Sequence, residues 1–78
     1  MSRRPSRAEL EAYAVHSDKA ASRFDEAARD AEEALATETR PEVRAQYEAM
    51  SKFHQQHANE AREDSATYRD GRIPGEQW

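Results

Sequence analysis

The chain has no cysteine, two glycines and three prolines, and aromatic residues fill only 8% of its 78 positions. Each shortage excludes something. Without cysteine there is no disulfide framework, no thiolate nucleophile and no zinc finger. Both glycines, Gly71 and Gly75, lie near the C-terminal end, so there is no glycine-rich loop to cradle a phosphate and no strained turn to expose a nucleophilic serine. Leucine, isoleucine, valine and phenylalanine together number seven, few for a self-sufficient core. No stretch approaches the roughly 20 apolar residues of a membrane span. Arg3 and Arg4 are followed by Glu9 and Glu11 rather than by an apolar segment, so they are not read as an export signal. These absences together lead us to expect a cytoplasmic protein that is not an enzyme and needs no cofactor and no metal.

Charge and alanine are plentiful. Charged residues make up 36% of the chain, with both signs interspersed and a net charge of -4, and the mean hydropathy is -1.23. A dedicated nucleic-acid binder carries a basic face. Here the basic excess is confined to Arg3, Arg4 and Arg7, so nucleic acid is at most an accessory partner, reached through this arm and the tail residues Tyr68, Arg69, Arg72 and Trp78. Fifteen alanines, the strongest helix formers, point to an all-α chain.

The apolar residues are periodic. Leu10, Tyr13, Ser17, Ala20, Phe24, Ala27, Ala31 and Ala34 follow steps of three and four without a slip. That is the stripe of a helix packed on another helix. Ser6 and Glu9 have capping-box spacing, so the first helix is predicted from about residue 7 to about residue 38. A second file, Ala14, Ala21, Ala28 and Leu35, recurs every seven residues beside the stripe.

Residues 39–41 form the predicted turn. Pro41 disfavours helical geometry at Arg40 and is welcome in a first turn, and Thr39 with Glu42 offers a second capping box. The second helix is predicted from about 42 to 69 with the stripe Val43, Tyr47, Met50, Phe53/His54, His57/Ala58, Ala61, Ser65 and Tyr68. Asp70-Gly71 reads as its stop. Residues 1–5 are then a flexible basic arm, 6–70 a helical hairpin, and 71–78 an extended tail.

A short link makes the helices antiparallel neighbours. Folded at the turn, the hairpin sets large residues against small ones, with Ala34 by Tyr47, Ala31 by Met50 and Ala27 by Phe53. The residues expected to pack the hairpin are therefore Leu10, Tyr13, Phe24, Ala27, Ala31, Ala34, Tyr47, Met50 and Phe53. The file Ala14, Ala21, Ala28 and Leu35 is left over, and Trp78 is costly to leave in water. Those five are the expected partner-binding residues, with Trp78 an anchor of the hot-spot kind. The alternative for the tail is that Ile73, Pro74 and Trp78 fold back together over Leu10 and Tyr13 and cover the open end.

Two helices bury too little to stand alone comfortably. The coiled-coil-like hairpin is thus expected to dimerise into a four-helix bundle or to dock on another protein. His54 and His57 have the i,i+3 spacing of a metal pair, but no Glu precedes a His by three, as bundle metal sites require. They are read as amphipathic residues at the seam edge. A short acidic cysteine-free hairpin is similar in outline to the small secreted proteins of type VII export systems. Those carry Trp-x-Gly in the turn and Tyr-x-x-x-Asp/Glu after the second helix. Here the turn is Thr39-Arg40-Pro41, and Arg72 stands four residues after Tyr68, so membership is not assigned. The function expected from the sequence is a non-enzymatic interaction module that regulates or inhibits a partner protein. The alternative is a self-assembling structural subunit, of a size that suits a small phage or mobile-element protein.

Overall fold

The computed structural model describes residues 4–75. Two helices account for nearly all of them, α1 over Arg7–Thr37 and α2 over Pro41–Arg69. They pack side by side as an antiparallel hairpin of 56 × 21 × 18 Å, and the described residues include no strand.

Local chemistry explains where each helix starts and stops. Ser6 caps α1: its Oγ accepts from the Glu9 N–H at 3.1 Å, and the Glu9 carboxylate accepts from the Ser6 N–H at 3.1 Å. This reciprocal pair satisfies two of the donors that a helix start leaves unpaired. It holds the Glu9 carboxyl below its ordinary value, chiefly through the Ser6 backbone N–H. At the same, open end of the hairpin, α2 stops at Gly71, which has φ +82°. The Gly71 N–H donates to Tyr68 O at 3.0 Å and the Arg72 N–H to Thr67 O at 3.1 Å, the two bonds of a Schellman ending. The left-handed conformation is why glycine stands there.

The turn differs from the expected second capping box. Arg40 is the N-cap of α2 and makes no side-chain cap, while Pro41 opens the helix. The organising group is the carboxylate of Glu38. It accepts from the N–H groups of Thr39 at 3.1 Å and Arg40 at 2.9 Å, and from the Arg40 guanidinium at 2.9 and 3.2 Å. The last turn of α1 contains no basic residue. Arg44 supplies one from α2, donating through Nη1 to the carbonyl oxygens of Leu35 at 2.9 Å and Glu38 at 2.8 Å. It thereby satisfies the Glu38 carbonyl, adds to the Glu38 N–H that Leu35 O already accepts at 3.3 Å, and sets a cation at the negative end of the helix dipole.

The seam between the helices runs along a different line from the expected one. On α1 the buried residues are Leu10, Ala14, Ala21, Ala28 and Ala31, and on α2 they are Ser51, Ala58, Ala61 and Ser65. Adding the half-buried Ser17, Phe24 and Leu35 gives an unbroken 4-3-4-3 spacing along α1. The half-buried Tyr47, His54 and Tyr68 complete the same spacing on α2. Ala14, Ala21 and Ala28, expected on the partner side, therefore lie inside the hairpin, and Leu35 is half-buried beside them. Tyr13, Met50 and Phe53, expected inside, are 44%, 46% and 55% exposed. Leu10, Ser17, Phe24 and Ala31 belong to both lines, so α1 is rotated about its axis rather than displaced along it.

The rotation has two physical causes. Alanine and serine facing one another let two backbones approach closely, and bulky rings inserted there would hold them apart. The charges agree with the packing. Burying Ala14, Ala21 and Ala28 brings Glu11, Asp18, Asp25 and Glu32 to the rim of the seam, where cations on α2 meet them.

Candidate interaction face

Because the seam occupies one side of each helix, the hairpin is a two-helix layer with two unlike broad faces. One is ionic. Glu11, Asp18, Asp25 and Glu32 stand at seven-residue spacing on α1, and Gln55, Arg62 and Arg69 at the same spacing on α2. Arg69 lies 3.3 Å from Glu11 and 2.9 Å from Asp18, and Arg62 lies 2.8 Å from Asp25. Gln55 donates to Glu32 at 2.8 Å, and the Ser51 hydroxyl donates to the same oxygen at 3.2 Å. Arg69 also donates to the buried Ser65 hydroxyl. The hydrogen bond from Arg69, with a smaller one from Ser65, holds the Asp18 carboxyl below its usual range, and Asp18 in turn raises Arg69. From Glu11 to Glu32, the polar column of α1 thus meets its complement on α2.

The opposite face is apolar and aromatic. Its files are Tyr13, Ala20, Ala27 and Ala34 on α1 and Val43, Met50 and His57 on α2, again seven apart, with Phe24, Tyr47, Phe53, His54 and Tyr68 beside them. Four rings meet at its centre. The His57 ring centroid lies 5.2 Å from that of Phe24 and 4.3 Å from that of Phe53, and His54 lies 6.2 and 5.4 Å from the same two. Nearer the open end, Tyr13 and Tyr68 face one another at 5.5 Å, tilted by 52°. Of the four large hydrophobic residues that are exposed among the described residues, three lie on or beside this face. The fourth, Val15, lies beside the ionic columns.

The two histidines sit differently. His57 Nδ1 lies 3.5 Å from Glu60. His54 Nδ1 is buried and has no hydrogen-bond partner among the described residues, an uncompensated polar atom against the rings. No group of three metal-ligating side chains occurs among the described residues. Two shallow polar depressions, lined by Lys52, Gln55, Gln56, Asn59, Glu60 and Glu63 on α2 and by Glu26, Arg29, Asp30 and Glu33 on α1, lie between solvated side chains of a single helix. Neither brings convergent groups from two elements together.

The open end is closed by the arm and the C-terminal turn. The Arg4 guanidinium donates to Gly71 O at 3.1 Å, and Pro5, Ile73 and Pro74 are half-buried there. Trp78, the expected anchor, lies outside the described residues. No helix of the described chain is long and apolar enough to cross a membrane. No family model, curated protein or solved structure matches the chain.

Proposed function

We propose that the chain is a non-enzymatic protein-interaction module whose contact surface is the apolar face of the hairpin. The observation carrying this reading is the asymmetry of the two faces. On one, the charged columns are matched inside the chain. On the other, Tyr13, Met50 and Phe53 are left 44–55% exposed around a cluster of rings. A contiguous apolar patch framed by polar residues is what a protein contact site presents to solvent. The earlier candidates Ala14, Ala21 and Ala28 cannot be offered to a partner, because the hairpin uses them itself.

A photo-crosslinking side chain tests the face directly. Installed at Phe53 it captures a polypeptide, whereas at Val15 it does not. Equal labelling from both positions would overturn the choice of face. No labelling from Phe53 in the native host would overturn the interaction reading.

Self-assembly is the second reading, supported by the composition of the seam. Apart from Leu10, every buried residue among those described is alanine or serine, so the larger side chains contribute little to the core of a single hairpin. Assembly into a four-helix bundle would enclose them.

A further inference from the structure

We infer that the occupant of the apolar face is a second copy of this chain, related by a two-fold axis along the hairpin. This rests on the apolar face being the contact surface. Three observations choose the occupant.

The first is area. The chain exposes 5986 Å², whereas a compact monomer of its 8.9 kDa mass exposes about 4,800 Å². The excess, roughly 1,200 Å², exceeds the approximately 800 Å² that each partner buries in a standard interface.

The second is the composition of the face. Its seven-residue files hold one charged residue, Asp64, set toward the open end. Pairing the face with itself would bury rings against rings and leave few charges to desolvate.

The third is the pattern of charge on the shoulders of the face. Arg23 flanks it on α1 and has no ion-pair partner among the described residues, whereas Glu60 flanks it on α2, beside His57. The two shoulders are at the same height, because Phe24, next to Arg23, lies 5.2 Å from His57. A two-fold axis along the hairpin lays α1 of one copy over α2 of the other, antiparallel. Arg23 then faces the partner's Glu60, and Glu60 faces the partner's Arg23. A closed isologous contact makes each such match twice. The product is a four-helix bundle with the Phe24, Phe53, His54 and His57 clusters at its centre and the ionic faces outside.

The test is sedimentation equilibrium on the full chain across micromolar concentrations, with four variants. Wild type forms a dimer. Phe53→Glu is monomeric, at a position exposed enough for the hairpin to tolerate the change. Arg23→Glu and Glu60→Arg each weaken the dimer about three- to tenfold, as expected for two exposed pairs broken at once. The double variant Arg23→Glu/Glu60→Arg restores wild-type dimerisation. A helical wild type that stays monomeric overturns the second copy as occupant. The crosslinking result at Phe53 then stands or falls separately. A dimer indifferent to Phe53→Glu overturns the face. A dimer lost with Phe53→Glu but unmoved by either charge reversal overturns the two-fold arrangement.

Discussion

Arg62 and Asp25, 37 residues apart in the chain, face one another at 2.8 Å across the ionic side of the seam. Both side chains are nearly half exposed, so the pair contributes on the order of 0.2–1 kcal/mol. Its larger role is to select rotation. The column containing Asp25 meets the column containing Arg62 only when Ala21 and Ala28 are buried. Arg62→Glu should lower unfolding stability by about 1 kcal/mol at low salt. The loss should shrink in 1 M salt, where the screening length falls to about 3 Å. Urea denaturation at the two ionic strengths measures both effects, and a salt-independent loss would mean that Arg62 acts through packing instead.

The small residues of the seam should be the least tolerant positions in the chain. Ala58 is fully buried opposite α1. Ala58→Leu forces the helices apart and should cost about 1–3 kcal/mol. Ala21→Arg buries a charge without a partner and should abolish cooperative unfolding altogether. Phe53→Ser, by contrast, should leave the helical content of the hairpin intact. Thermal melts followed by circular dichroism separate the three. Equal tolerance at Ala58 and Phe53 would contradict the seam described above.

Helix number, extent and polarity were legible from periodicity, the Ser6 box, Pro41 and Gly71, because these are local signals. The rotation of the helices was not. Leu10, Ser17, Phe24 and Ala31 belong to either line, and the remaining files, Tyr13/Ala20/Ala27/Ala34 and Ala14/Ala21/Ala28/Leu35, are both apolar. Side-chain size favours Tyr13 as core when hydrophobicity alone is weighed. The deciding information was in the charged residues. Glu11, Asp18, Asp25 and Glu32 recur every seven residues, as do Gln55, Arg62 and Arg69, and complementary columns of that kind belong at the rim of a coiled-coil seam. The Arg44 bridge is harder to see, since it depends on a side chain of α2 reaching the end of α1 across the turn. The file that sequence alone leaves over, Ala14/Ala21/Ala28, is thus the one the hairpin buries, and Tyr13, Met50 and Phe53, read as hairpin packing, are left exposed.

That bridge gives the third prediction. Arg44 is part-buried and holds two carbonyl oxygens at the end of α1. Arg44→Met keeps the length of the side chain and removes both hydrogen bonds, taking the guanidinium from the Glu38 carbonyl and leaving Leu35 O only the Glu38 N–H at 3.3 Å. The expected cost is about 1–3 kcal/mol. Arg44→Lys keeps the charge at the helix end but not the reach of a planar guanidinium, and should recover only part of the loss. Hydrogen exchange locates the effect: protection should fall in the last turn of α1 and the first of α2 before it falls at the open end.

Acid should loosen the same turn. The Arg40 guanidinium, followed by the Arg40 and Thr39 backbone N–H groups, pulls the Glu38 carboxyl down from its ordinary value of 4.5 to about 2. The Glu38 side chain is 14% exposed, while its Arg40 partner is 70% exposed. A group whose pKa is lower in the folded state stabilises that state above its unfolded pKa and loses the contribution as pH falls through the folded value. The stabilisation from Glu38 should therefore be complete above pH 4.5 and fade between there and about 2. Glu9 and Asp18 are lowered in the same direction, so the whole hairpin weakens in acid while the turn responds furthest down. Carboxyl carbon shifts followed by NMR should show Glu38 titrating with a midpoint near 2. The melting temperature of Glu38→Gln should fall less steeply than wild type between pH 4.5 and 2. A Glu38 midpoint at its ordinary value would show that the turn network does not persist in solution.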